Sequence, residues 1–125
     1  PEHLMTREYL EETQRLMSDD AVVVANTFSI SQLYHHESTT YQAVFGTFFN
    51  LKSAASANRI ILATSGELPA REVLQQRAHD LGPRLRRFGV KPDQHAKAMK
   101  TKPDWDTSAR VLTDQYSPAN LLQGR

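Results

Sequence analysis

The sequence contains no cysteine. That excludes a disulfide framework and a thiolate metal centre, and it fits a reducing compartment. Net charge is nearly absent: 15 Lys and Arg stand against 14 Asp and Glu, a formal +1. Bulk charge therefore argues against a nucleic-acid or other polyanion binder. No apolar run approaches membrane-spanning length and no signal-peptide pattern is visible, so a cytoplasmic protein is expected. A membrane-fused longer form stays open. None of the 5 glycines falls in a G-x-G-like segment, which excludes the usual phosphate-cradling turn. What is present is a globular composition, with 39% hydrophobic and 23% charged residues in 125. That amounts to one domain at most, with enough chain to bury a core. The first residue is Pro1 and not Met. The start is expected to be processed, or the chain to be a piece of something longer.

Periodicity and end signals lay out the elements. Residues 6–18 read as a helix, with Thr6 as N-cap and Glu8 in the first turn. Residues 20–28 read as a strand centred on Val22, Val23 and Val24. A second helix is predicted from a cap at Ser29 or Ser31 to about Phe45, closed by Gly46. Short strands follow at 47–52 and 59–64, then a helix over 70–81 ended by Gly82-Pro83. Beyond it the pattern weakens: more helix at 84–88, a turn or two at 95–100, an irregular 102–108, an extended piece at 111–114 and a docked or frayed tail.

The run "AVVVA", residues 21–25, carries the main inference. A strand with one wet face alternates apolar and polar residues, whereas a continuous apolar run suits a strand buried on both faces. Such a strand needs neighbours on both edges and cover on both faces. The later strands supply one edge only, so part of the sheet is expected to be absent from this chain. The polar cluster Asn26 to Ser29 ends the run where ligands bind in α/β sheets, beyond the carboxyl ends of strands.

Several stretches then resemble a known family. Pro1, Leu4-Met5-Thr6, Tyr9 and "VANTFS" resemble the second half of the spermidine synthases, or polyamine aminopropyltransferases. The stretch "HHESTTYQAVFGTFFNLKSAASANRIILAT" is similar to that family's next helix and two strands. "VLTDQYSP" resembles the carboxyl-terminal signature of spermidine synthase-like proteins. The likeness is good over 1–64, weak over 111–118, and slight elsewhere. It implies the C-terminal half of a class I methyltransferase-like Rossmann fold: α/β, three strands with the last antiparallel and lying between the other two, and flanking helices. It implies a half-domain at 1–64 and a helical and irregular extension at 65–125 packed on it. Four further strands would pair with the bare edge of strand 20–28.

The implied activity is transfer of an aminopropyl group from decarboxylated S-adenosylmethionine to a polyamine such as putrescine. The attacking amine must be neutral, so a carboxylate base helps, and the cationic polyamine calls for acidic residues. This chain lacks the glycine-rich turn for the co-substrate and the family's Asp-containing catalytic segment, expected just before Pro1. No catalytic or cofactor-binding residue is therefore assigned within it, and alone it is expected to be inactive. The family's Gln in "VAQTES" corresponds to Asn26, which makes similar hydrogen bonds with a shorter reach. Its "PTYPSG" loop is replaced by "SAASAN", which loses a tyrosine. The substrate-binding candidates are Asn26, Glu2, His3, Asp114 and Tyr116.

Each has a plainer reading beside it. Asn26 could simply cap the sheet, Glu2 and His3 form a solvated stub, and Asp114 and Tyr116 serve turn chemistry before Pro118. The adjacent His35-His36-Glu37 do not have chelating helical spacing and read as a solvated helix face. Arg84, Arg86, Arg87 and Lys91 read as a solvated or salt-bridged face, with only Phe88 to stack a base. Trp105 reads as an anchor for an irregular segment. Besides the enzyme reading, two alternatives remain: a related S-adenosylmethionine-fold protein with other or no activity, and a protein-binding module that uses its open sheet edge. The partners expected are the polyamine and the missing half of the sheet; nucleic acid is not, and homo-oligomerisation is left open.

Overall fold

The computed structural model describes residues 2–118, apart from the side chain of Glu2. The expectation for the tail beyond Pro118 lies outside the described residues, as does Pro1. After a 3-10 turn at Glu2–Leu4, helix α1 spans Arg7–Arg15. Thr6 caps it as expected, its hydroxyl oxygen accepting from the Tyr9 N–H at 3.3 Å. Strand β1 is Val22–Phe28 and helix α2 is Leu33–Phe45. The cap of α2 differs from expectation, since Gln32 occupies it without a side-chain bond. Gly46 ends the helix at φ 72, a conformation that favours glycine, and its N–H returns to the Gln42 carbonyl at 2.9 Å.

Strands β2, Phe49–Lys52, and β3, Asn58–Thr64, complete a sheet of order β1-β3-β2 in which both pairings are antiparallel. β1 and β2 therefore run the same way with β3 reversed between them. Cross-strand partners share a face, so Val23 with Ala63, Ala25 with Ile61 and Thr27 with Arg59 face one way. That face holds the core: Leu10, Tyr34, Tyr41, Phe48, Ile61 and Ala63 are buried together. Trp105 joins them, stacked on Phe48 with ring centroids 5.2 Å apart, which makes it the anchor the sequence suggested.

The other face is largely bare along β1. Val24 is 64% exposed and Phe28 60%, with Val22 and Ile30 also exposed. The apolar run that reads as a doubly buried strand is thus covered on one side only. β1 also has one neighbour only, so its outer edge is unpaired among the described residues.

Helix α3 runs Arg71–Leu85, straight through Gly82-Pro83, where the sequence predicts a stop. A residue before proline is disfavoured in helical geometry by clashes of the proline ring with its N–H and its Cβ, and Gly82 has no Cβ to clash. Pro83 then removes one N–H rather than ending the helix. A 3-10 turn at Arg86–Phe88 and helix α4, Pro92–Ala98, follow. The piece at 111–114 is not a strand: it leads into a tight turn over 113–116, closed by paired bonds between Thr113 and Tyr116.

The irregular segment after α4 is tied down by polar contacts as well as by Trp105. Asp104 pairs with Lys52 and accepts from the Tyr34 hydroxyl and, at 3.2 Å, from Asn50. Burial pushes the Asp104 carboxyl up, but the bonds from Lys52 and Tyr34 outweigh it and hold it below the usual value. A depressed carboxylate contributes stability above its unfolded pKa, and that contribution disappears as pH falls through the folded value. Both partners are partly exposed, so the effect is modest, about 1 kcal/mol or less. Asp104→Asn is expected to flatten the acid limb of thermal stability below about pH 4 relative to the unmodified chain. Identical acid limbs in the two proteins would contradict this.

Candidate functional site

The start of α1 is where the sequence candidates partly converge. His3, Glu8, Tyr9, Glu12, Asp114 and Ser117 line an open cavity of about 410 Å³. Thr6 donates its hydroxyl hydrogen to Asp114 Oδ1 at 2.7 Å, and the Asp114 N–H donates to Glu8 Oε2 at 3.0 Å. Residues 108 apart in sequence thus meet at one helix end. The Arg7 N–H donates to the Leu112 carbonyl at 2.8 Å, and Leu112 is buried against Leu33 and Met5. These contacts hold the segment containing Asp114 across the first turns of α1 and α2. Of the three carboxylates on this lining, Glu12 pairs with Arg15, and Glu8 and Asp114 are the two whose negative charge suits a cationic ligand.

Of the candidates, His3 and Asp114 line this cavity. The side chain of Glu2 lies outside the described residues. Tyr116 is not part of the lining: it packs with Met5 and Leu33, 3.7 Å beneath the Arg110 guanidinium and beside the His36 ring. Asn26 stands near the carboxyl end of β1 on the bare face, paired across the sheet with Ile60. It makes no side-chain hydrogen bond among the described residues.

Sequence reasoning missed a polar cluster inside the core. Arg59 is fully buried on the α2 side of the sheet. Its guanidinium pairs with Glu37 Oε2 at 2.6 Å, donates to Thr27 Oγ1 at 2.8 Å and to Ser38 Oγ, and lies 4.4 Å from the centre of the Tyr34 ring. Burial raises the Glu37 carboxyl above its usual value, with the charge and hydrogen bond of Arg59 offsetting part of the rise. Glu37 is therefore turned inward, a correction to the solvated face expected for His35-His36-Glu37. A signal was available: Arg59 shares the two-residue period of Ile61 and Ala63, which puts a charge on the inward face of a strand.

No group of three His, Asp or Glu suited to a metal occurs among the described residues. His35 Nδ1 accepts from the Asp106 N–H, and His36 Nδ1 lies 2.8 Å from the Arg110 carbonyl, so both rings serve local structure. Arg84, Arg86, Arg87 and Lys91 are exposed, as expected for a solvated face. No helix among the described residues is long and apolar enough to cross a membrane.

Comparison with known proteins decides the relationship. Over 124 residues, 98% of its length, the chain is 52% identical to the polyamine aminopropyltransferase of Vibrio vulnificus (strain CMCP6). The chain is a homologue of polyamine aminopropyltransferase. It spans 42% of that relative's length. No protein-family model matches it, and no solved structure matches it. The family resemblance read from "VANTFS" and "VLTDQYSP" is therefore borne out across nearly the whole chain, well past the 64 residues where the sequence carries it best.

Proposed function

We propose that this chain is the carboxyl-terminal part of an aminopropyltransferase, and that the longer protein moves an aminopropyl group from decarboxylated S-adenosylmethionine to a polyamine such as putrescine. The observation that carries this reading is the 52% identity to a polyamine aminopropyltransferase over 98% of the chain. Topology supports it. The order β1-β3-β2 with a reversed middle strand is what the last three strands of a methyltransferase-like sheet require. The bare edge of β1 and its exposed Val24 and Phe28 await strands and cover from the part of the longer protein this chain does not span.

In the reaction an amine nitrogen attacks the carbon beside a sulfonium. A C–N bond forms, the C–S bond breaks, the thioether leaves, and the amine's proton passes to a base. The described residues contain no glycine-rich turn that fits the adenosyl group, so no step is assigned to this chain at that end. Its own residues serve the amine. Asp114, with Glu8, presents negative charge to an ammonium, and His3 sits on the same wall. Asn26 offers an amide oxygen at the end of β1.

The test compares the 125-residue chain with the longer protein in an aminopropyl-transfer assay. The longer protein is expected to turn over and the chain alone to be inactive. In the longer protein Asn26→Ala should raise the KM for putrescine roughly tenfold or more, the loss expected for a hydrogen bond to a charged group. A folded longer protein without transfer activity would favour the alternative of a related S-adenosylmethionine-fold protein with another role.

A further inference from the structure

We infer that Thr6 is a positioning residue for the amine substrate: its hydroxyl fixes the Asp114 carboxylate on the wall of the acidic cavity. This rests on the aminopropyl-transfer reading above. Thr6 is fully buried although polar, so its hydrogen bonds define what it does. Its oxygen accepts from the Tyr9 N–H at 3.3 Å, which is ordinary helix capping. Its single hydrogen has two acceptors in reach, the His3 carbonyl at 3.4 Å and Asp114 Oδ1 at 2.7 Å. The shorter contact takes the hydrogen. Capping uses only the oxygen and has no need of Asp114.

Nor is the Thr6 bond needed to hold the segment down. Leu112 is buried, its N–H donates to Thr40 Oγ1 at 2.9 Å, and its carbonyl accepts from Arg7. Thr113 and Tyr116 close the turn themselves with two bonds of 2.9 Å. What the hydroxyl adds is direction. Thr6 holds Oδ1 and Glu8 holds the Asp114 backbone N–H, while Oδ2 has no hydrogen bond among the described residues. Asp114 is exposed and lines the cavity, so that free oxygen is the one an ammonium would meet.

The test uses the longer protein, with putrescine as the probe, reading both steady-state kinetics and calorimetric binding. Thr6→Val and Asp114→Asn are each expected to raise the putrescine KM and Kd about tenfold, with the KM for decarboxylated S-adenosylmethionine unchanged. Thr6→Ser keeps the hydroxyl and should stay within about twofold of the unmodified enzyme. The double variant should be no worse than Asp114→Asn, because the two residues act through one bond. Thr6→Val that lowers Tm but leaves KM and Kd unmoved would reduce Thr6 to a cap and overturn the inference while the transfer reading stands. Should Thr6→Val fail to fold, unchanged putrescine binding by Asp114→Asn overturns it equally. A longer protein that binds putrescine but shows no transfer, with binding weakened by Thr6→Val, would sustain the inference and remove the reaction. Absence of both binding and transfer removes both.

Discussion

Arg59→Met is expected to destabilise the fold by about 3–5 kcal/mol, because it leaves the Glu37 carboxylate buried without its counter-charge. For a domain whose whole stability is on the order of 5–15 kcal/mol, that is a large share. The hydroxyls of Thr27 and Ser38 lose their donor in the same step. Replacing both partners, Arg59→Met with Glu37→Leu, should cost far less, since no unpaired charge remains. The single variant should also acquire a distinctive pH dependence. Burial alone would then raise Glu37 further, so the folded state would hold its proton more tightly than the unfolded chain. Stability would be greatest below the unfolded carboxyl pKa and would fall as pH rises toward the folded value. Urea unfolding of the three proteins across pH measures both effects. A single variant as mild as the double, with no pH dependence of its own, would mean that the ion pair contributes little.

Val24→Lys is expected to act with opposite signs in two settings. In the 125-residue chain Val24 is 64% exposed beside an unpaired strand edge, so a lysine there should reduce self-association and leave stability within about 0.5 kcal/mol. In the longer protein, where the proposed half-sheet covers this face, the same change would bury a charge without a partner. It should then cost roughly 3 kcal/mol or more. Light scattering on the chain and thermal unfolding of the longer protein give the two readings. A lysine tolerated equally well in both would show that the face stays open and would remove the structural argument for missing cover.

Much of the order of elements was legible because local rules produce it. Thr6 caps α1, Gly46 closes α2 at a positive φ, and the β-branched run marks β1. These signals depend on a residue and its near neighbours. The α3 stop failed because a proline was weighed without the glycine before it. The two stretches that carry the family resemblance contain Asn26 and Asp114, but nothing in the spacing shows which candidates meet. His3 and Asp114 share a cavity while Tyr116 turns to Met5, Arg110 and His36, and that depends on how a loop crosses two helices.

The sequence by itself determined the first two helices, the three strands, the bare edge of β1 and the kinship to aminopropyltransferases. Each is written in composition, in periodicity along one strand or helix, or in the order of short motifs. The tertiary structure alone decided that Arg59 meets Glu37 inside the core and that Thr6 meets Asp114 across 108 residues of chain. Both are single polar contacts between distant segments. Their partners are chosen by the packing of β3 against α2 and of the closing segment against α1, which no local propensity encodes.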